Sequence, residues 1–159
     1  MLERDIFIED RERVITVVIP ARNEALNIDS CLEALSRCRD VHLKVVVVDD
    51  NSEDDTYAKA VEWGGRLSDM IVVKGMPRPS DWTGKAWACE QGARVAQGDW
   101  ICFVDADVCL DSQTLAVATQ VAASENLALL SLFGTWNLQS YWERLVIPAV
   151  GWLIRGGIG

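Results

Sequence analysis

Two carboxylates one residue apart, Asp105 and Asp107, are the clearest chemical signal in the sequence. They follow the apolar run 100–104, which we interpret as a buried strand. Alternation along a strand predicts that both carboxylates point the same way and that Ala106 points away. Such a pair repels itself unless a cation lies between its members, and oxygen ligands favour a hard divalent ion. The motif predicts a metal site or, in the plainer interpretation, a polar turn.

Two further polar segments follow apolar runs earlier in the chain. The segment 20–24 reads Pro-Ala-Arg-Asn-Glu, and the segment 49–55 reads Asp-Asp-Asn-Ser-Glu-Asp-Asp. In an open α/β sheet, ligands bind at the carboxyl ends of the strands. We therefore expect both segments and the 105–107 pair to face one crevice, although the aspartates of 49–55 could also be simple turn and cap residues.

Apolar periodicity predicts the strands and helices that would position these segments. Strands are expected at 14–19 (ended by Pro20), 43–48, 70–73, 100–104 and 127–133. Helices are expected at 25–37, 55–63, 85–97 and from about 111 to 124. This alternation with short connections predicts an α/β fold with a mostly parallel sheet and helices on both faces.

Composition narrows the classes of function. The chain has 159 residues, enough for one domain, and a formal net charge of −9, which argues against nucleic acid as a partner. Its five cysteines are odd in number and lack zinc-type spacing, so we expect reduced thiols in a cytoplasmic protein. The charged lead-in 1–13 has no apolar core and is not expected to be a signal peptide.

The last segment, 136–159, differs from the rest in composition. It crowds tryptophans and aliphatic residues together with two arginines. The range 136–155 therefore predicts either peripheral contact with the cytosolic face of the membrane or an amphipathic helix that packs on protein.

Several common catalytic plans are disfavoured. The sequence lacks Gly-x-Gly-x-x-Gly and the Gly-x-x-x-x-Gly-Lys-[Ser/Thr] phosphate loop. It also lacks Gly-x-Ser-x-Gly, and its one histidine, His42, is expected in an exposed loop. The Asp-x-Asp motif follows three predicted strands, whereas a haloacid dehalogenase-type phosphohydrolase would carry it after the first. A nucleotidyltransferase would open with a Gly-rich loop, which 20–25 lacks.

Three motifs together resemble the family 2 glycosyltransferases of the GT-A fold. They are Val-Val-Ile-Pro-Ala-Arg-Asn-Glu-Ala at 17–25, Val-Val-Asp-Asp-Asn-Ser-Glu-Asp-Asp-Thr at 47–56 and Phe-Val-Asp-Ala-Asp at 103–107. The segment 81–92 is similar to a narrower branch, the hopene-associated and carotenoid glycosyltransferases. The resemblance covers about 14–150 and implies that 14–135 is the N-terminal half of a Rossmann-like GT-A nucleotide-binding domain.

The resemblance implies which residues hold the donor. The implied nucleotide-binding residues are Pro20, Ala21, Arg22, Glu24, Asp50, Gly84, Lys85 and Asp105. The implied metal ligands are Asp105 and Asp107, with Mn²⁺ or Mg²⁺ as the ion. Asp50 would accept a hydrogen bond from the base imide, which suits uracil. Lys85, at a helix N-terminus, would favour a phosphate or the base.

The implied function is inverting transfer of a sugar from a nucleoside diphosphate sugar, expected to be a UDP-sugar, to a lipid-like or saccharide acceptor. An inverting enzyme needs a carboxylate as general base, and we expect that residue and the acceptor site to lie beyond residue 159. The alternative is a truncated, non-catalytic module that binds nucleotide or serves only in interaction. An exposed sheet edge or apolar face would also favour a homo-oligomer.

Overall fold

A four-stranded parallel sheet organises the computed structural model, which describes residues 13–132 and 134. The strands are β1 (Val14–Ala21), β2 (His42–Asp49), β3 (Met70–Lys74) and β4 (Trp100–Phe103). The helices are α1 (Ile28–Ser36), α2 (Thr56–Trp63), α3 (Gly84–Val95) and α4 (Thr114–Ser124). The strand order is β3-β2-β1-β4, and every pairing is parallel. The predicted α/β class is confirmed.

The two central strands are buried on both faces. Val17 and Val47 belong to a core that includes Leu32 of α1, whereas Val18 faces the opposite side and packs with Ala88 of α3. Side chains alternate along a strand, so a strand covered on both faces must be apolar at nearly every position. This explains why β1 and β2 are almost continuous runs of valine and isoleucine.

A glycine in α3 sets how closely this helix packs on the sheet. A Cβ atom on Gly92 would lie 2.3 Å from Val18 Cγ1 and 3.1 Å from Val48 Cγ2. Any larger residue would push the helix away from the two central strands. Gly92 thus fixes the distance of α3 from the sheet, and with it the position of the N-terminus of the helix.

Strand β1 runs through Pro20 to Ala21, so the prediction that Pro20 ends the strand is wrong. Pro20 pairs with Val48 of β2. The carbonyl of Val18 accepts a hydrogen bond from the N–H of Val104, which shows that Val18 and, two residues on, Pro20 face the β4 side. β4 has already ended there. The missing N–H of the proline therefore interrupts no hydrogen bond of the sheet.

Strand β4 is an edge strand, and its prediction as a buried strand is wrong. It pairs with β1 alone among the described residues. Its side chains Ile101 and Phe103 are 46% and 54% exposed, while Trp100 and Cys102 pack against the core. An apolar run does not reveal whether one or both of its faces are covered.

The chain divides after Leu127 into two compact units. Residues 127–132 form no strand, so the predicted strand at 127–133 is wrong for that range, and Phe133 lies outside the described residues. An apolar run of this length specifies a strand only when a partner strand is available to pair with it. The predicted segment 136–159 also lies outside the described residues, and the boundary at 135 stays a prediction.

Candidate functional site

Asp50, the residue after β2, lies where three predicted site segments meet. It is 7% exposed, and its N–H donates to the carbonyl of Ala21 at 2.8 Å. Arg22 Nη1 lies 3.9 Å from Asp50 Oδ2, at ion-pair distance. A Cβ atom on Gly84 would lie only 2.9 Å from the same oxygen, so glycine lets α3 begin directly against the carboxylate. The structure thus brings Ala21, Arg22, Asp50 and Gly84 together.

The N-terminus of α3 also contacts the end of β4. Lys85 Nζ lies 2.7 Å from Asp105 Oδ1. This hydrogen bond is the main reason why the pKa of Lys85 lies above its usual 10.5, and the lysine stays protonated at neutral pH. The helix dipole adds positive potential at the same end of the helix. Gly84 and Lys85 therefore connect two carboxylates that follow different strands.

Asp105 and Asp107 lie in a turn after β4, not in the strand. Both side chains are exposed and Ala106 between them is buried, which agrees with the prediction that Ala106 points away from the two carboxylates. The thiol of Cys31 donates to the carbonyl of Asp105 at 3.8 Å, and burial raises the pKa of this thiol to about 12. Cys31 is therefore a neutral group that supports the turn from the core, a role that the sequence did not suggest.

The donor atoms of this turn fit a hard divalent ion. Two exposed carboxylates supply oxygen ligands, and Mg²⁺ is commonly held by one or two carboxylates together with substrate phosphates. Within residues 13–132, no cluster of three or more His, Cys, Asp or Glu side chains could hold a metal by itself. The residues present fit an ion that is completed by a phosphate-bearing ligand.

Two predicted site residues, Glu24 and Pro20, have other contacts. The carboxylate of Glu24 accepts from Asn27 Nδ2 at 2.8 Å, and its carbonyl accepts the N–H groups of Asn27 and Ile28 at 2.9 Å. Glu24 thus stabilises the start of α1. Pro20 continues β1, as described above. In the described part of the chain, neither Glu24 nor Asp107 forms a side-chain hydrogen bond with Asp50.

Two asparagines adopt positive φ angles in the loops that carry Arg22 and Asp50. Asn23 follows Arg22 with φ of 56°, and Asn51 follows Asp50 with φ of 55°. Asparagine adopts this left-handed region more readily than most residues with a side chain. An asparagine one step after each site residue was a sequence signal for these turns, and sequence reasoning missed it.

Asp49 is a second buried acid at the end of β2. Gly75 donates its N–H to the carbonyl of Asp49 at 2.8 Å, and a Cβ on Gly75 would lie 2.8 Å from the same oxygen. The side chain of Asp49 is 5% exposed, and its Oδ1 has no hydrogen-bond partner in the region that the structure describes. The strand end therefore keeps one unused acceptor beside Asp50.

The amino edge of the sheet takes no part in this site. His42 is the first residue of β2, so its prediction as a loop residue is wrong, but its side chain is 43% exposed, as predicted. Its Nε2 lies 2.8 Å from Asp69 Oδ2. Strand β2 separates this pair from the site, since His42 lies at its beginning and Asp50 follows its end. Over the residues that the structure describes, no helix is both long and apolar enough to cross a membrane.

A parallel sheet with polar side chains gathered at its carboxyl edge defines a ligand-binding α/β class. Solved GT-A glycosyltransferases share this fold. The mannosyltransferase PcManGT from Pyrobaculum calidifontis, in complex with GDP-Man and Mn²⁺, matches with a TM-score of 0.62 and 30% identity over 71% of this chain and 33% of that one. The glucosyl-3-phosphoglycerate synthase from Mycobacterium tuberculosis, in complex with Mn²⁺, UDP and glucosyl-3-phosphoglycerate, matches with a TM-score of 0.55 and 27% identity over 68% and 39%.

Residues 16–137 match glycosyl transferase family 2, and the chain belongs to this family. It is 32% identical over 120 residues to the 4,4'-diaponeurosporenoate glycosyltransferase of Staphylococcus haemolyticus, which covers 74% of this chain and 31% of that protein. The Staphylococcus aureus protein of the same name is 35% identical over 96 residues, or 60% and 24%. The resemblance to family 2 and to its carotenoid branch is confirmed. The chain spans about a third or less of the length of these curated relatives.

Proposed function

We propose that this chain forms the donor-binding part of a glycosyltransferase that uses a nucleoside diphosphate sugar. One observation carries the proposal: the first two residues of α3 lie against carboxylates from two different strands, Asp50 and Asp105. The carboxyl edge of the sheet thereby combines a buried hydrogen-bond acceptor with a lysine and a helix N-terminus. These groups suit a base at one end of a ligand and a diphosphate at the other.

Each strand end has its own role in this proposal. Asp50 accepts a hydrogen bond from a ring N–H of the base, and Arg22 Nη1 lies 3.9 Å from Oδ2 of the same carboxylate. Lys85 and the N-terminal amides of α3 bind the diphosphate. The proposed base is uracil, since its imide N–H suits the Asp50 carboxylate and a solved structure that resembles this chain contains UDP. Guanine also presents a ring N–H, so GDP is the comparison that tests this choice.

Asp105 and Asp107 are the proposed ligands of Mn²⁺ or Mg²⁺. When bound, such an ion neutralises negative charge on the leaving diphosphate. Lys85 contributes a positive charge beside Asp105, since its Nζ lies 2.7 Å from Asp105 Oδ1. The structures that resemble this chain include complexes with Mn²⁺, which supports this assignment.

The proposed acceptor is lipid-like, with a saccharide as the alternative. The name 4,4'-diaponeurosporenoate glycosyltransferase, carried by relatives that are 32% and 35% identical, supports the lipid-like choice. We propose inverting transfer, with the catalytic base and the acceptor site held by residues other than 13–132. Tryptophans and arginines in 136–155 support peripheral contact with a membrane face, where such an acceptor would be met.

Calorimetric titration of the purified chain with UDP and with GDP tests the proposal, each in Mn²⁺ and in EDTA. We expect UDP to bind more tightly than GDP and to bind more tightly with Mn²⁺. Circular dichroism on the same sample establishes that the protein is folded. Failure of a folded sample to bind either nucleotide would contradict the proposal and favour an interaction module.

A further inference from the structure

Hydrogen bonds join the loop after β1 to the loop after β2, although about thirty residues separate them in sequence. Asn23 makes two of these bonds. Its N–H donates to Ser52 Oγ at 3.0 Å, and its side-chain Oδ1 accepts the N–H of Glu53 at 2.8 Å. The left-handed φ of Asn23 belongs to the same arrangement, because this turn is what presents both groups to the second loop.

Asp54 and Thr56 make the next two bonds between the loops. The N–H of Glu24 donates to Thr56 Oγ1 at 2.8 Å, and the N–H of Ala25 donates to Asp54 Oδ2 at 3.1 Å. Thr56 also donates to Asp54 Oδ1, both from its N–H at 3.0 Å and from its hydroxyl. Thr56 is fully buried, so its hydroxyl lies in the middle of this network. We call Asn23, Ser52, Asp54 and Thr56 together the loop clasp.

The loop clasp begins next to the proposed binding residues without touching their charged groups. Asn23 directly follows Arg22, and Ser52 lies two residues after Asp50. In the described residues no side chain of the clasp bonds to the Asp50 carboxylate. Across the loops, the clasp satisfies backbone N–H groups at 23–25 and at 53, which would otherwise need water. These bonds connect the backbone next to Arg22 with the backbone that follows Asp50.

We propose that the loop clasp is a positioning device for the nucleotide site. It holds the first loop against the second, so that Ala21 and Arg22 stay in register with Asp50 before any ligand binds. A preorganised site loses less entropy on binding. The clasp therefore raises nucleotide affinity through residues that never contact the nucleotide. The nucleotide readout rests on the proposed function, whereas the positioning itself is measurable in the free protein.

Thr56 offers a matched pair of variants. Thr56→Val keeps the shape of the side chain and removes the hydroxyl that bonds to Glu24 and Asp54. Thr56→Ser keeps the hydroxyl. Asn23→Gly is a second, exposed variant, which tolerates the positive φ and removes the acceptor of the Glu53 N–H.

Trp63→Phe is the control. It removes another hydrogen bond between α1 and α2, from Trp63 Nε1 to Asp29 Oδ1 at 2.9 Å, which lies outside both loops. It should lower the free energy of unfolding and leave the site in place.

The test combines amide chemical shifts of the free protein with UDP titration. We expect Thr56→Val and Asn23→Gly to displace the amide signals of Arg22 and Asp50 and to weaken UDP binding by about threefold to tenfold, the loss of one hydrogen bond. Thr56→Ser should return both toward wild type, and Trp63→Phe should change neither. Unchanged signals at Arg22 and Asp50 in both clasp variants would overturn the proposal.

A wild-type chain that binds no UDP would contradict the proposed function but leave the clasp testable. The amide signals of Arg22 and Asp50 in the free protein would then be the only test of the positioning role. Displacement in Thr56→Val with recovery in Thr56→Ser would support positioning. A loss of stability in Thr56→Val, without displacement of either signal, would reduce the clasp to a structural cross-link and overturn the proposal.

Discussion

The carboxylates that follow β2 and β4 differ in how completely the protein surrounds them. Asp50 follows a central strand, is nearly buried, and lies against Ala21, Arg22 and Gly84. Asp105 follows an edge strand, and its side chain is half-exposed with one ion pair, to Lys85. The first carboxylate is held in place by the fold, whereas the second lies in a turn that a ligand can still reach from solvent.

Sheet position explains this difference. A central strand has a neighbour on each side, so the loops of both neighbours enclose the residue that follows it. β4 has one neighbour among the described strands, and the turn after it is open. A buried acceptor suits an uncharged base N–H, while exposed carboxylates suit a cation that brings water and phosphate with it. This difference supports the proposal that the two strand ends hold the two ends of one nucleotide.

The largest effect should come from Asp50, the enclosed carboxylate that follows β2. Asp50→Ala removes a hydrogen bond to a charged acceptor, so UDP affinity should fall by about 1.5–3 kcal/mol, roughly tenfold to a hundredfold, with or without Mn²⁺. Calorimetry measures this directly. Asp55→Ala, which makes the same change of charge at an exposed position five residues further on, should bind UDP like wild type. A similar loss in both variants would mean that loop charge, not Asp50, sets the affinity.

A substitution on the face of α3 that packs on the sheet should disturb the helix that connects Asp50 with Asp105. Gly92→Ala places a Cβ within 2.3 Å of Val18 Cγ1, so we expect overpacking to lower the free energy of unfolding by about 1–3 kcal/mol. Denaturant unfolding measures the change. Gly65→Ala is the control, because a Cβ there would meet its nearest neighbour at an ordinary 3.6 Å. Equal stability of the two variants would show that α3 has room to move.

Lys85→Gln should have a smaller effect, confined to the open side. The Lys85–Asp105 pair is exposed, and such pairs contribute about 0–1 kcal/mol, so thermal stability should hardly change. UDP affinity should fall a few-fold, and its dependence on salt should weaken, because a cation near the diphosphate is lost. Lys85→Arg keeps the positive charge, so its UDP affinity should lie between those of wild type and Lys85→Gln. An unchanged salt dependence in Lys85→Gln would remove this lysine from the phosphate site.

Acid should slightly lower the stability of the loop after β2, through protonation of Asp54. The hydrogen bond from Thr56 is the main reason why the pKa of Asp54 lies below its usual 3.8. As the pH falls, the Asp54 carboxylate is therefore protonated in the unfolded chain before it is protonated in the folded protein. The contribution of Asp54 to stability is complete above about pH 3.8 and is lost as the pH falls through the lower folded value. Thermal melts between pH 3 and 5 should show a shallower slope in Asp54→Asn, and an equal slope would contradict this role.

The sequence predicted the sheet and helices because buried parallel strands leave a strong apolar pattern. It failed where the outcome depends on neighbours. Pro20 is tolerated only because β4 stops beside Val18, and Ile101 and Phe103 of β4 are exposed because only the opposite face, with Trp100 and Cys102, packs against the core. The apolar run at 127–132 carries no information about whether a partner strand exists.

The motifs selected candidate site residues but carried no information about the contacts between them. Motif resemblance selected Asp50, Gly84, Lys85 and Asp105, while only the fold shows that α3 joins Asp50 to Asp105. The loop clasp was missed because its hydrogen bonds join residues about thirty positions apart. Polar residues in such loops look alike in sequence, whether they face water or hold another loop.

UDP titration of Asp107→Asn in Mn²⁺ and in EDTA tests the central contrast most directly. If the two strand ends act as described, Asp107→Asn loses the gain in affinity that Mn²⁺ gives to wild type and keeps wild-type affinity in EDTA. Asp50→Ala, titrated alongside, loses affinity in both and keeps the gain. Retention of the full Mn²⁺ gain by Asp107→Asn would contradict a metal site at the open end of β4, and with it the division of the nucleotide between the two strands.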